Sequence, residues 1–158
     1  MSTLAGYIPW VHALATGLMA GLVLFVQVVH YPLFAKVGTA EFPAYETAHQ
    51  NRTTIIVAPL MLTEALTAAL LVLMPTAGVS RTLTITSAVL VAAVWALTFF
   101  VAVPLHGKLS SGFDAAAHRA LVASNWPRTV LWVARAVIAV AIVAQASVAQ
   151  VSAGLSRA

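Results

Sequence analysis

Long apolar runs alternate with short polar stretches along the chain, and four of the runs are long enough to cross a membrane. An α-helix needs roughly 20 residues to span the hydrocarbon core of a bilayer, and each run exceeds that length. Apolar positions do not alternate with a period of two, so a transmembrane β-barrel is not indicated. The pattern predicts an all-α fold, an integral membrane four-helix bundle running up-down-up-down. The predicted helices cover about residues 7–34, 41–74, 82–106 and 126–151.

The connections between these helices differ in length. Residues 75–81 contain Pro75 and Gly78, which predict a tight turn between the second and third helices. The other two connections are longer, and each contains a stretch of good helix-forming residues. We therefore expect short interfacial helices in the two longer loops, with Pro127 in the first turn of the fourth helix.

Composition agrees with a chain that has lipid as its main solvent. Hydrophobic residues make up 61% of the sequence and charged residues 8%, and the mean hydropathy is +0.97. Soluble domains carry about 25% charged residues, so a water-soluble fold is excluded. The length predicts a single transmembrane domain over residues 1–158. The absence of cysteine excludes disulfides and thiolate metal sites.

The basic residues predict an orientation and a partner. The net charge is +4 without a basic cluster, which favours lipid headgroups as partners and argues against nucleic acid. Most basic side chains fall at the end with the two long loops, and the positive-inside rule then places those loops in the cytoplasm. The sequence thus predicts a bacterial inner-membrane protein with both termini outside. The basic residues at the long-loop end are Lys36, Arg52, Lys108, Arg119 and Arg128.

Histidines gather at the long-loop end of the predicted bundle. His30 ends the first helix, Glu46 and His49 lie one helical turn apart near the start of the second, and His106 ends the third. Three imidazoles with one carboxylate form a ligand set suited to iron, copper or zinc. A haem held by His30 and His106 is a less favoured variant. Histidine and tyrosine also anchor helices at membrane interfaces, and that alternative stays open.

Further polar residues predict catalytic and substrate-binding roles around the metal. Tyr31 and Tyr45 can donate protons or electrons, and Glu64 can pair with Arg135 inside the membrane. That pair is either the floor of a substrate pocket, a proton path, or a structural ion pair. Predicted substrate-binding residues come from three helices: Gln27, Arg52, Asn125, Arg128 and Trp132.

A small-residue motif, Gly17-Leu18-Met19-Ala20-Gly21, lies on the first predicted helix. Such motifs let two helices approach closely, either inside one bundle or between two copies of a chain. We favour close packing inside the bundle, with a homo-oligomer contact as the alternative.

Three short stretches carry a resemblance to known membrane proteins. The stretches are HYPLF at 30–34, PLMLTE at 59–64, and NWPRT at 125–129 followed by Arg135. They resemble uncharacterised bacterial four-helix membrane proteins, and they are loosely similar to the anthrone-oxygenase-like membrane family. The resemblance implies a four-helix bundle and oxygen-dependent chemistry on an apolar aromatic substrate.

The sequence therefore leaves two classes of function open. The first is a metal-dependent membrane oxidoreductase or oxygenase that acts on a lipid-soluble small molecule at the histidine-rich end. The alternative is a non-catalytic binder or carrier of a small solute, proton or metal, or a structural membrane subunit. The first class predicts a bound redox metal, and the alternative predicts binding, flux or stability effects without turnover.

Overall fold

A computed structural model describes residues 5–156, and within them the chain is almost entirely helical. The helices in this part of the chain are α1 (Ala5–Lys36), α2 (Phe42–Leu73), α3 (Arg81–Ser110) and α4 (Ala115–Leu155). Each is long and apolar enough to cross a membrane, and no strand occurs among these residues. The predicted all-helical class and the existence of four membrane-length helices are confirmed.

The four helices share two apolar cores. Helix α1 packs along α4 and α2, and α3 packs against the same two helices. One core lies midway along the helices around Met19, Val94 and Trp132. The other lies where α1 and α3 end and α2 and α4 begin, around Phe34 and Leu121. We call this second region the histidine end, and the region around the 74–80 connection the turn end.

The distribution of polarity is the reverse of that in a soluble protein. Ile55 is 74% exposed and Phe100 is 81% exposed, whereas Glu64 and Arg135 are each only 1% exposed. Apolar side chains cover the outside of the helices, and charged side chains lie between them. This arrangement is compatible with an integral membrane protein, because lipid solvates the apolar surface and the buried polar groups need partners inside.

Helices α1 and α3 share an irregularity next to the histidine end. Each contains a π-helical turn, Val26–His30 in α1 and Thr98–Ala102 in α3. A proline is the second residue after the end of each turn, at Pro32 in α1 and at Pro104 in α3. Proline has no N–H to donate, so the regular bonding pattern is interrupted there. A π turn adds one residue and so rotates the following side chains by about 100°.

The two predicted interfacial helices are not separate elements, and this expectation was wrong. Residues 115–155 form one continuous helix with Pro127 inside it, and residues 42–52 are the first turns of α2. The alanine-rich start of α4 has high helix propensity, and no glycine interrupts it before Pro127. A single internal proline removes one backbone hydrogen bond, which the packed neighbours tolerate here. Pro43 lies in the first turn of α2.

The glycine motif of α1 does not pack inside the bundle, so the favoured prediction for it was also wrong. A Cβ atom added at Gly17 or at Gly21 would meet nothing within 4 Å. Both glycines therefore lie on the outer side of α1, because the inward positions of this turn are taken by larger side chains such as Met19.

The side chain of Asp114 caps the start of α4. Its carboxylate accepts hydrogen bonds from the backbone N–H groups of Ala116 and Ala117 at 2.8 and 2.9 Å, and it contacts Lys108 at 2.9 Å. The Ala117 backbone bond, followed by the Lys108 contact, lowers the pKa of Asp114 from 3.8 to about 2. A lowered pKa in the folded state stabilises the fold above pH 3.8, and that contribution is lost as the pH falls towards 2.

We expect Asp114→Ala to lower the thermal stability of the purified protein at neutral pH. The gap to the wild type should close as the pH falls from about 4 to about 2, because the wild-type carboxylate then takes up a proton. Asp114→Asn is the matched variant, since asparagine keeps an acceptor at the cap and should lose less. A gap that is the same at every pH would contradict the assigned role of the carboxylate.

Candidate functional site

The predicted histidine cluster is assembled around one buried aromatic ring. Phe34 is fully buried at the end of α1. Its ring makes edge contacts with the rings of His30 at 5.2 Å and His49 at 5.1 Å between centroids. The ring of Tyr31 also lies edge-on to Phe34, at 5.4 Å. The aromatic ring thus positions imidazoles from α1 and α2 beside the phenol of α1.

A carboxylate, an imidazole and a phenol form a continuous hydrogen-bonded relay in this cluster. His106 Nδ1 lies 2.5 Å from Glu46 Oε1, and His106 Nε2 lies 2.8 Å from the Tyr31 hydroxyl. A neutral imidazole has one donor and one acceptor nitrogen. Donation to the carboxylate through Nδ1 leaves Nε2 to accept the hydroxyl proton of Tyr31. The carboxylate therefore orients His106 as a base towards the phenol, which is the arrangement that general acid–base chemistry uses.

The other two imidazoles lie against this relay. His30 Nε2 is 2.9 Å from His49 Nδ1, and the Thr53 hydroxyl is 3.2 Å from the same nitrogen of His49. The His49 ring stacks against the His106 ring with 5.4 Å between centroids. Imidazoles from α1, α2 and α3 are thus brought into contact, as the sequence predicted.

Glu46 is the most constrained member of the cluster. It is fully buried, and its Oε1 also accepts a hydrogen bond of 3.1 Å from Gln50. The Gln50 amide is held in turn by Ser110 at 2.6 Å. The second carboxylate oxygen, Oε2, is buried without a hydrogen-bond partner. An unsatisfied buried acceptor is costly, so this oxygen marks a position where a donor or a cation would be stabilising.

The four predicted metal ligands do not surround a common point in this arrangement. Among residues 5–156, no group of three or more histidine, aspartate or glutamate side chains is arranged to hold a metal ion. Instead the ligand atoms face one another in pairs, His30 with His49 and His106 with Glu46. A cation would have to replace these hydrogen bonds with ligand bonds.

The predicted substrate-binding residues of α1 and α4 form a second network next to the relay. Asn125 donates to Gln27 Oε1 at 2.8 Å and accepts from Arg128 Nη1 at 2.9 Å. The Arg128 guanidinium lies 5.5 Å above the ring centroid of Trp132. All four side chains are buried. This network gathers a cation and two amides between α1 and α4.

Two predicted residues lie at the edge of the cluster. Tyr45 is half-buried, and its ring packs at 6.4 Å from that of His30 and 5.5 Å from that of Phe34. Arg52 is exposed and makes none of the hydrogen bonds that join the cluster. The structure therefore brings Tyr45 to the site as a packing residue and leaves Arg52 on the surface.

The predicted ion pair lies deeper in the bundle. Arg135 Nη1 is 2.9 Å from Glu64 Oε1, and Trp132 Nε1 donates to both carboxylate oxygens of Glu64 at 3.2 and 3.0 Å. Arg135 lies ten residues beyond Asn125 on α4, which corresponds to about 15 Å along the helix. The pair makes no hydrogen bond to His30, His49 or His106, but Trp132, over which Arg128 lies, joins it to the second network.

Three functional candidates were not predicted as site residues. Gln50 follows Glu46 by one helical turn, a spacing that could have indicated its contact with the carboxylate. His118 is buried on α4, and its Nε2 donates to the carbonyl oxygen of Tyr31 at 2.8 Å. His12 is fully buried and lies between Thr67 at 2.9 Å and Ser87 at 3.1 Å. The position of His12 as a lone histidine in an apolar helix could have indicated a buried polar site. Its partners could not be predicted, because they are distant in sequence.

Comparison with known proteins gives no relative of this chain. No family model, no curated protein and no solved structure matches it. The geometry of the described residues is therefore the basis of the functional argument.

Proposed function

We propose that this chain is an integral membrane protein that binds a redox metal at the histidine end and oxidises a lipid-soluble substrate there. The observation that carries the proposal is the meeting of three imidazoles with a fully buried carboxylate, one oxygen of which has no partner. An oxidation at a metal ion can use such a ligand set together with a proton donor in a site shielded from water. Tyr31 is the proton donor, since it is 4% exposed and hydrogen-bonded to His106.

The membrane setting rests on the four apolar helices and their reversed polarity. We place them in the bacterial inner membrane in an up-down-up-down arrangement. The excess of basic residues near the histidine end supports a cytoplasmic position for that end, with the termini on the outside.

The proposed metal ligands are His30, Glu46, His49 and His106. Two nitrogens bound tetrahedrally to one ion at about 2.0–2.1 Å are about 3.3 Å apart. His30 Nε2 and His49 Nδ1 lie 2.9 Å apart in a hydrogen bond, which an ion held by both would replace. Iron or copper would supply one-electron chemistry with oxygen at this site. An ion bound by His106 would replace its hydrogen bond to Glu46 or to Tyr31, because both ring nitrogens lie within hydrogen-bonding distance of those groups.

The remaining polar groups would orient the substrate. Asn125 holds the Arg128 guanidinium, whose Nε has no partner and can bind an oxygen atom of an otherwise apolar ring compound. The resemblance to the anthrone-oxygenase-like family favours an aromatic substrate of that kind.

The test is a metal measurement on protein purified in mild detergent without chelators. We expect about one equivalent of iron or copper per chain by mass spectrometry, together with a visible absorption band. The double variant His30→Ala/His106→Ala should fold and lose both signals, whereas His12→Ala should keep them. A protein that stays colourless and metal-free after incubation with iron, copper and zinc would refute the proposal.

A second candidate function is a non-catalytic binder of a proton, metal or small solute. The observation that favours it is that the relay of Glu46, His106 and Tyr31 is complete without a metal. Such a small bundle would act as a homo-oligomer, and the outward Gly17 and Gly21 offer a contact surface for it. Ligand binding or proton flux without turnover would favour this function over the first.

A further inference from the structure

A second polar cluster lies inside the bundle, nearer the turn end, and the proposed function does not use it. Every helix contributes to it, and all of its members are at most 5% exposed. Polar groups at membrane depth are expensive and are seldom retained without a role. The members are His12, Thr16, Glu64, Thr67, Thr84, Ser87 and Arg135.

Arg135 is only partly used within this cluster. Its Nη1 bonds to Glu64, but Nε and Nη2 are buried without hydrogen-bond partners. These two nitrogens form the edge of the guanidinium that binds an anion through two parallel hydrogen bonds. The Thr16 hydroxyl is also buried without a partner. The unused groups at Arg135 are hydrogen-bond donors on a cation, so an acceptor that carries a negative charge would bind them most strongly.

The protonation state of Glu64 decides whether an anion can bind at this edge of Arg135, because the charge inside the bundle has to balance. Arginine remains protonated in proteins, whereas a buried carboxylate can take up a proton and become neutral. With Glu64 ionised, Arg135 is already neutralised, and an added anion would leave a net negative charge in the interior. With Glu64 protonated, Arg135 is an unpaired cation, and one monovalent anion restores neutrality.

The groups around Glu64 are compatible with the uptake of a proton together with an anion. From α4 it faces Arg135 and the N–H of Trp132, and the titratable side chain that α1 contributes to the cluster is His12. Helix α3 contributes hydroxyls only, Thr84 and Ser87. The hydroxyl of Thr67 bonds to the carbonyl of Thr63 at 2.7 Å, so His12 Nδ1 donates to Thr67 and Nε2 accepts from Ser87. His12 is thereby held neutral and adds no competing charge.

We propose that the unpartnered Nε and Nη2 edge of Arg135 forms an interior site for a small monovalent anion, filled when Glu64 takes up a proton. One proton from solution is bound for each anion, so that the charge inside the bundle stays balanced. None of these residues belongs to the proposed metal site, and the proposal does not depend on it.

The site can be tested with chloride, using the fluorescence of Trp132 as the reporter in a variant whose other three tryptophans are phenylalanine. Chloride is titrated against a gluconate background at constant ionic strength, at pH values from 5 to 8. We expect saturable binding whose affinity rises roughly tenfold for each unit of pH decrease, because one proton accompanies each anion. In Glu64→Gln the site should bind chloride tightly and without pH dependence.

Glu41→Gln is the matched control, because Glu41 is exposed and outside the cluster, and it should behave as the wild type. Should Glu64→Gln prove unstable in gluconate, chloride is expected to raise its melting temperature, with no such effect in Arg135→Gln. The proposal is overturned if the wild type shows no saturable chloride response at pH 5. It is equally overturned if Glu64→Gln keeps the pH dependence of the wild type. Metal content is measured on the same samples, and neither its loss nor its retention changes the interpretation of chloride binding.

Discussion

Glu64→Leu is expected to destabilise the protein by about 3–5 kcal/mol, which is the typical cost of leaving one member of a buried ion pair alone. Arg135 is 1% exposed and cannot shed its proton, so the variant would hold an uncompensated cation inside the bundle. Arg135→Met is expected to cost less, because the Glu64 left behind can become neutral by binding a proton. The order of the two effects is therefore part of the prediction.

The double variant Glu64→Leu/Arg135→Met removes the whole ion pair, so it shows how much of each single variant's loss of stability comes from an unpaired charge. It should recover to within about 1–2 kcal/mol of the wild type, since apolar replacement of a whole buried pair is often close to neutral. The remaining loss in the free energy of unfolding is expected from Trp132, because its N–H loses its acceptor. Unfolding in mixed detergent micelles with gluconate as the only anion gives the four free energies. A double variant as unstable as Glu64→Leu would show that the pair is not the source of the loss, and Glu41→Leu controls for exposed glutamates.

The four helices could be predicted from the sequence because lipid imposes one rule on every span. A chain without water around it must bond its backbone internally, and it needs about 20 apolar residues to cross. The meeting of His30, His49 and His106 followed from the same rule, because three spans of similar length bring their polar ends together. The Glu64–Arg135 pair was predicted in the same way, from depth along two helices.

The local geometry could not be predicted, because it depends on packing between distant segments. The π turns before Tyr31 and Val103 arise from bonding around a proline, and no periodic pattern reveals them. The continuous course of α4 through Pro127 depends on neighbours that hold the interrupted turn. The partners of His12 come from α2 and α3, at separations of 55 and 75 residues. The outward position of Gly17 is likewise a property of the assembled bundle.

The variant Glu46→Gln distinguishes a metal site from a purely structural cluster, because the two roles predict different effects of metal on its stability. Its Oε2 has no partner among the described residues, whereas its Oε1 is held by His106 and Gln50. Glu46→Gln keeps the size of the side chain and one acceptor oxygen for these two donors. In the absence of metal we therefore expect the variant to be about as stable as the wild type, within about 1 kcal/mol.

With metal present the two proteins should diverge. At a metal concentration 100 times the dissociation constant, binding stabilises the wild type by about 2.7 kcal/mol. A neutral amide is a poor ligand, and a 100-fold weaker affinity would reduce that gain to about 0.4 kcal/mol at the same concentration. Thermal unfolding with and without iron or copper measures the difference, and Glu41→Gln should respond as the wild type does. If the metal stabilises wild type and Glu46→Gln equally, then Glu46 is not a ligand, and its carboxylate serves only the relay to Tyr31 through Oε1.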